Sequence, residues 1–265
     1  MDYQFHAGSI PLLVSMPHVG VDIPDEIAAC MTPQALVKMD TDWHLRELHG
    51  FLRDMDASVL SARWSRYVID LNRPQEDTNL YPGQDTTGLL PTDTFQREPL
   101  YLAGQEPDMQ ERQRRVARYW APYHRQLQQE LERLLRVHGA VVLWDAHSIA
   151  SRVPRFFDGK LPDLNFGTAD GASCDAGLST AVVDLARAQA PFTVALNGRF
   201  KGGHITRHYG QPARRVQAIQ LEMCQCLYMN ETDEAAPFAY RPELAAQVQP
   251  LLRQMMAAAV AWVRR

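Results

Sequence analysis

Three apolar runs in this sequence end on residues that bind metals or move protons. Ser15-Met16-Pro17-His18-Val19-Gly20 places a histidine just after one run, and Leu143-Trp144-Asp145-Ala146-His147-Ser148 places another after a second. Ile219-Gln220-Leu221-Glu222 closes a third run on a carboxylate. An acid-rich segment, Asp40-Thr41-Asp42-Trp43-His44, precedes a helical pattern. Two histidines and a carboxylate form the protein ligand set of a catalytic zinc site, whose fourth position is left to water. The competing roles are ordinary ones. A single histidine is usually a hydrogen-bonded structural group, and Asp42 would also suit a helix's first turn, facing the macrodipole. No HExxH or paired CxxC spacing fixes a metal.

A second constellation is cationic. Asp70-Leu71-Asn72-Arg73 closes a further apolar run, and Gly202-Gly203-His204-Ile205-Thr206-Arg207 follows an Asn197-Gly198 turn. Arginine at a strand end suits carboxylate recognition, because its planar fork donates two parallel hydrogen bonds. For one isolated arginine, a surface ion pair is the commoner role. Other features carry less. Ser148 and His147 are neighbours whose side chains point apart on a strand, so they make no nucleophile–base pair. Gly-x-Ser-x-Gly, Walker A and Gly-x-Gly-x-x-Gly signatures are absent. Cys224 and Cys226 read as buried thiols, and Arg112, Arg114, Arg115 and Arg118 as a solvated helix face.

The elements that must position these residues alternate along the chain. Strands are expected at Leu12–Met16, Ser58–Ala62, Tyr67–Leu71, Ala140–Trp144, Thr193–Leu196 and Val216–Glu222. Several are nearly continuous apolar runs, as in sheets covered on both faces. Helices are expected at Thr41–Leu52, Met109–Val137, Cys174–Ala188 and Glu243–Val263, with a break in the second at Pro122. This pattern predicts an α/β fold with a mixed, mostly parallel sheet flanked by helices. The stretch 74–107, rich in Pro, Gly, Thr and Asp, reads as an irregular excursion that could wall a site. No linker divides the chain, so residues 1–265 are expected to form one domain.

Composition narrows the function classes. With 27 Lys+Arg against 31 Asp+Glu the net charge is −4, without the basic excess of a nucleic-acid binder. A hydrophobic content of 46% argues against disorder. No run reaches the roughly 18–20 apolar residues of a membrane span, and the amino terminus lacks a basic leader. Four cysteines are too few for a disulfide framework, which points to reduced thiols and a cytoplasmic protein. Nothing in the sequence sets an oligomeric state.

Taken together, six motifs in order resemble the N-formylglutamate amidohydrolase family. They are Pro17-His18-Val19-Gly20 with Ile23-Pro24, Asp40 to His44, Tyr67 to Pro74, Asp145 to Ser148, Gly203 to Gly210, and Gln220-Leu221-Glu222. The resemblance spans residues 17 to about 222 and implies a fold like that of zinc carboxypeptidases and aspartoacylase. It implies His18 and His147 as zinc ligands, Glu222 as general base, and Asn72-Arg73 as the pair that holds a substrate carboxylate. Related peptidases place a ligand glutamate three residues after the first histidine, but Val21 stands there and Asp22 follows it. Asp42 is therefore assigned as third ligand.

The implied reaction is metal-dependent hydrolysis of N-formyl-L-glutamate to L-glutamate and formate, the last step of a histidine degradation route. The cofactor would be Zn2+, with another divalent transition metal able to occupy such a site. The substrate is a small dicarboxylate, for which Arg73 and Arg207 are the expected cationic partners, with Asn72 and His44 as further contacts. Two rival readings remain at this stage. One is another zinc amidohydrolase of the same fold, an N-acyl amino acid deacylase or a carboxypeptidase-like enzyme. The other is a non-catalytic acidic amino acid binding protein.

Overall fold

A computed structural model describes residues 2–189, 191–231 and 237–265. Its strands are β1 (Tyr3–His6), β2 (Leu12–Met16), β3 (Ser58–Ala62), β4 (Val141–Ile149), β5 (Leu164–Gly167), β6 (Val194–Leu196) and β7 (Val216–Cys224). They form one seven-stranded sheet in the order β1-β3-β2-β4-β7-β5-β6. Only β1–β3 and β5–β7 pair antiparallel. The central trio β2, β4 and β7 is parallel throughout, so the carboxyl ends of all three strands share one edge of the sheet.

Strand alternation sorts the apolar runs into two cores. Leu12, Val14, Met16, Val142, Trp144, Ala146, Ile219 and Leu221 face one side, under α6 (Ala176–Ala188) and α8 (Pro242–Val263). Leu13, Leu60, Val141, Leu143 and Ala218 face the other, under α5 (Ala121–His138). On this second face the side chains change character toward the carboxyl edge. Val141 and Leu143 give way to Asp145 and His147 along β4, while Ala218 gives way to Gln220 and Glu222 along β7. The site is thus the polar continuation of one core.

The remaining helices are α1 (Asp25–Ala28), α2 (Pro33–Val37), α3 (Leu45–Leu48), α4 (Met109–Arg115) and α7 (His204–Tyr209). A π-helical turn, Val116–Trp120, joins α4 to α5. Pro122, which cannot donate a backbone hydrogen bond, lies just beyond it.

Three expectations are corrected. Tyr67–Leu71 is not a strand: Val68 N bonds Ser65 O and Asp70 N bonds Leu89 O, so its apolar residues fill the second core from a turn. The helix expected at Thr41–Leu52 is only α3 and a 3-10 turn at Gly50–Leu52, because His44 takes the left-handed conformation (φ 59°). The strand expected to end at Trp144 runs on to Ile149, which brings His147 into the sheet itself.

Candidate metal centre and substrate pocket

Asp145 and His147 lie two residues apart on β4 and therefore point to the same face. β2 pairs with β4 only as far as Ser15 opposite Asp145, and the chain then turns through Pro17-His18. This sets the His18 ring beside that of His147, with centroids 4.8 Å apart. Asp42 comes from the loop before α3, where its backbone N–H donates to His18 O at 3.0 Å. It lies outside any helix's first turn, and its carboxylate faces both imidazoles. Asp42 Oδ2 is 3.2 Å from His147 Nδ1 and 3.9 Å from His18 Nδ1. One donor atom from each of these three buried residues lies within 4.8 Å of the others.

The far side of each ring is braced by a carboxylate. His18 Nε2 donates to Asp70 Oδ1 at 2.7 Å, and Arg66 Nη2 donates to Asp70 Oδ2 at the same distance. His147 Nε2 lies 3.2 Å from Asp145 Oδ1 and 2.8 Å from the Asn72 side-chain amide. Carboxylates behind the second nitrogen are characteristic of metal-binding histidines, since they fix ring orientation and raise basicity. Two nitrogens and one carboxylate oxygen also match the preference of zinc-like cations. The residues fit a divalent transition metal.

Electrostatics agree with that fit. Burial alone would raise Asp70, but His18 and Arg66 outweigh it and hold the carboxyl well below its usual range. Burial alone would lower His147, but Asp145 and Asp42 hold it well above the ordinary imidazole value. A cation held at Nδ1 would displace that proton, as metal binding to histidine generally does.

Glu222 lies opposite His147 in the parallel β4–β7 register, so both side chains point to the same face. Both line a pocket with His18, Asn72, Arg66 and Arg73. Burial raises the Glu222 carboxyl to about 8 against the lowering charge of His147, with Asp42 adding to the rise.

The pocket wall is built by the 74–107 excursion and the 199–203 segment, through Tyr81, Thr86, Thr87, Phe95, Arg199, Phe200 and Gly203. Arg73 Nε donates to Thr87 O at 2.7 Å, and its Nη2 donates to Thr86 Oγ1 at 2.8 Å. Arg199 is anchored by donation to Phe156 O at 2.8 Å and Asp85 O at 2.7 Å. Asn72 Nδ2 donates to Asp145 Oδ2 at 3.1 Å, and Asn72 Oδ1 accepts from Ile205 N at 2.8 Å. The backbone at Gly203 passes so near that a Cβ there would sit 2.5 Å from the Asn72 side chain.

Over residues 10–229 the chain matches the sequence profile of the family described as N-formylglutamate amidohydrolase. The chain belongs to the N-formylglutamate amidohydrolase family. Among relatives, it is 49% identical over 258 residues to the N-formylglutamate deformylase of Pseudomonas putida, covering 97% of this chain and 95% of that one. It is 48% identical to the corresponding Pseudomonas aeruginosa deformylase, covering 98% and 96%. The crystal structure of an N-formylglutamate amidohydrolase from Ralstonia eutropha superposes with a TM-score of 0.83 at 26% identity, covering 100% of this chain and 98% of that one. A gene product of Agrobacterium tumefaciens shares the fold, with a TM-score of 0.74 at 19% identity and coverage of 100% and 96%.

Within this amidohydrolase fold the structure brings together His18, Asp42, His147, Glu222, Asn72 and Arg73. Two expected substrate contacts lie elsewhere. His44 Nε2 pairs with Phe238 O at 2.6 Å, beside Tyr240. Arg207 Nε donates to Gly202 O at 2.8 Å, and its guanidinium stands 5.2 Å from the ring centroid of Tyr81 in the pocket wall. The sequence assigned no role to Arg66, Asp70, Asp145 or Arg199, although Asp70 and Asp145 lie within its motifs. Asp70 and Asp145 sit two residues from Asn72 and His147, with i,i+2 strand spacing the available signal for Asp145, and Arg66 sits six residues before Asn72. Arg199 carried no such signal, because a flexible Asn197-Gly198 turn precedes it.

Proposed function

We propose that this amidohydrolase is a zinc-dependent N-formylglutamate deformylase, hydrolysing N-formyl-L-glutamate to formate and L-glutamate in the histidine degradation route of the cytoplasm. The observation that carries the proposal is the convergence of buried His18, Asp42 and His147 beside Glu222, at a pocket lined by three arginines. A chain almost half identical to named deformylases over nearly its whole length supports the substrate. The likeness to zinc carboxypeptidases belongs to the same reading.

His18, Asp42 and His147 would hold the zinc, and the bound ion would supply Lewis acidity toward the formyl oxygen and acidify water. Burial raises Glu222, and the positive charge of the bound ion would favour its ionised form. Ionised Glu222 takes a proton from the attacking water as the water oxygen bonds the formyl carbon. It then delivers that proton to the amine nitrogen as the C–N bond breaks. Arg66, held against Asp70, offers positive charge toward the developing oxyanion. Arg73 and Arg199 receive the two carboxylates of the substrate, with Asn72 assisting. Each is pre-oriented by backbone carbonyls, which lowers the ordering cost of binding. Arg207 acts on the substrate through the Tyr81 wall, and His44 lies outside this scheme.

Parallel assays of N-formyl-, N-acetyl- and peptidyl-glutamate test the reading. It predicts clear preference for the formyl compound. Equal or better turnover of the acetyl compound would assign the chain to a broader deacylase activity, and binding of L-glutamate without turnover of any of the three would make it a binding protein.

A further inference from the structure

Leu71, Asn72 and Arg73 present three successive carbonyls, and each accepts a hydrogen bond from outside its own loop. The His124 ring donates from Nε2 to Leu71 O at 2.8 Å. The backbone N–H of His204 donates to Asn72 O at 3.1 Å. The Trp120 indole donates from Nε1 to Arg73 O at 2.9 Å. Two of these donors share one helical face: Trp120 and His124 stack with centroids 3.7 Å apart and planes 21° from parallel. The π turn at Val116–Trp120 ends on the first of them, and π turns recur where a helix must re-aim side chains at a functional site.

The His124 tautomer is set by its partners. Donation from Nε2 leaves Nδ1 as an acceptor, and the Tyr209 hydroxyl supplies a proton there at 2.9 Å. Burial and the nearby His204 push His124 down to about 3, which keeps that neutral form in place at ordinary pH. A pair of apolar rings would fill the same space. Two N–H groups aimed at consecutive parts of one loop do something packing does not require, because a buried carbonyl left without a donor costs roughly 1–3 kcal/mol.

We infer that Trp120 and His124 are positioning residues, which hold the Leu71–Arg73 backbone so that the Asn72 amide and the Arg73 guanidinium face a substrate carboxylate. The inference rests on the deformylase reading for the identity of that carboxylate. Neither ring lines the pocket. Both act through the loop they hold.

The test compares zinc-loaded wild type with W120F, H124F and H124Q. The readouts are L-glutamate affinity by calorimetry, kcat and KM for formate release, and thermal midpoint. Phenylalanine keeps an aromatic ring in the stack but removes the N–H. Glutamine can restore both bonds of His124, donating to Leu71 O and accepting from Tyr209. W120F and H124F should each weaken L-glutamate binding and raise KM about tenfold, the effect of one lost hydrogen bond in a buried loop. Their thermal midpoints should move by only about 2–4 °C. H124Q should recover most of the affinity. The double variant should lose less than the sum of the single losses, since both rings hold one segment.

Unchanged L-glutamate affinity in W120F and H124F would overturn the inference, as would an H124Q variant that folds but binds no better than H124F. Wild type that binds L-glutamate yet releases no formate would remove the deformylase reading, while the affinity ratios would still decide the positioning role. Wild type that does not bind L-glutamate would overturn both.

Discussion

Glu222 and His147 stand opposite one another on adjacent parallel strands, so one can be changed without unseating the other. E222Q should therefore keep a full complement of zinc while losing about 10²- to 10⁴-fold in kcat, the usual contribution of a general base. Metal analysis and turnover on the same sample check it, and near-normal kcat would remove Glu222 from its role. The arginines separate by position. R73A and R199A should each raise KM by about ten- to a hundredfold, the effect of losing a charge-assisted hydrogen bond of roughly 1.5–3 kcal/mol. R207A, which removes a guanidinium packed on the Tyr81 ring and not lining the pocket, should change KM by less. If R207A were the most damaging of the three, the substrate would have to be turned toward α7.

At the scale of elements, the site depends on how closely loops can approach the carboxyl edge of the sheet. G203A would drive a methyl group into Asn72, whose amide also meets Asp145 and His147. Loss of turnover should follow, with the protein still folded by circular dichroism. Intact kinetics in G203A would mean that Asn72 can move without consequence.

Elements that were legible in the sequence were those whose burial follows from local pattern. β2, β3 and β7 were readable as apolar runs because both faces of the central sheet are covered. α6 and α8 were readable as apolar stripes. Tyr67–Leu71 misled for the same reason, since it is apolar and buried but pairs with no strand. β1 was missed because it is an edge strand whose last three residues are exposed, and β5 because four residues after a proline carry little pattern.

The site was legible where motif residues close apolar runs of the sequence, as His18, His147 and Glu222 do. The bracing shell was not, because Arg66, Asp70 and Arg199 gain their roles only when loops fold over the sheet. Asp42 had two roles in the sequence, and the left-handed conformation of His44 removes the first-turn role by delaying the start of the helix to Leu45.

Across the whole molecule, the net charge of −4 describes the surface and not the pocket, where Arg66, Arg73 and Arg199 gather. Among the described residues, no helix is long and apolar enough to cross a membrane. Stability should follow buried neutral histidines away from the candidate metal centre. Burial lowers His49 to about 4 and His124 to about 3, and His204 falls to about 4 from burial and from His208 beside it. Each binds a proton more readily when unfolded. Their contribution is complete above the unfolded value near 6.5 and is lost as pH falls from there toward the folded values, at about 1.4 kcal/mol per pH unit for each group. The thermal midpoint should therefore drop steeply between about pH 6 and pH 4, and H124Q should flatten that slope. A midpoint independent of pH across the window would contradict the neutral, buried state of these rings.

The central claim is that His18, Asp42 and His147 hold a divalent metal that this chain uses to hydrolyse a formamide. Formate release from N-formyl-L-glutamate, measured before chelation, after chelator dialysis and after zinc is returned, tests it directly. Activity is expected with near one zinc per chain, together with its loss in the metal-free protein and its recovery on adding zinc. Full formate release from protein shown to contain no metal would contradict it.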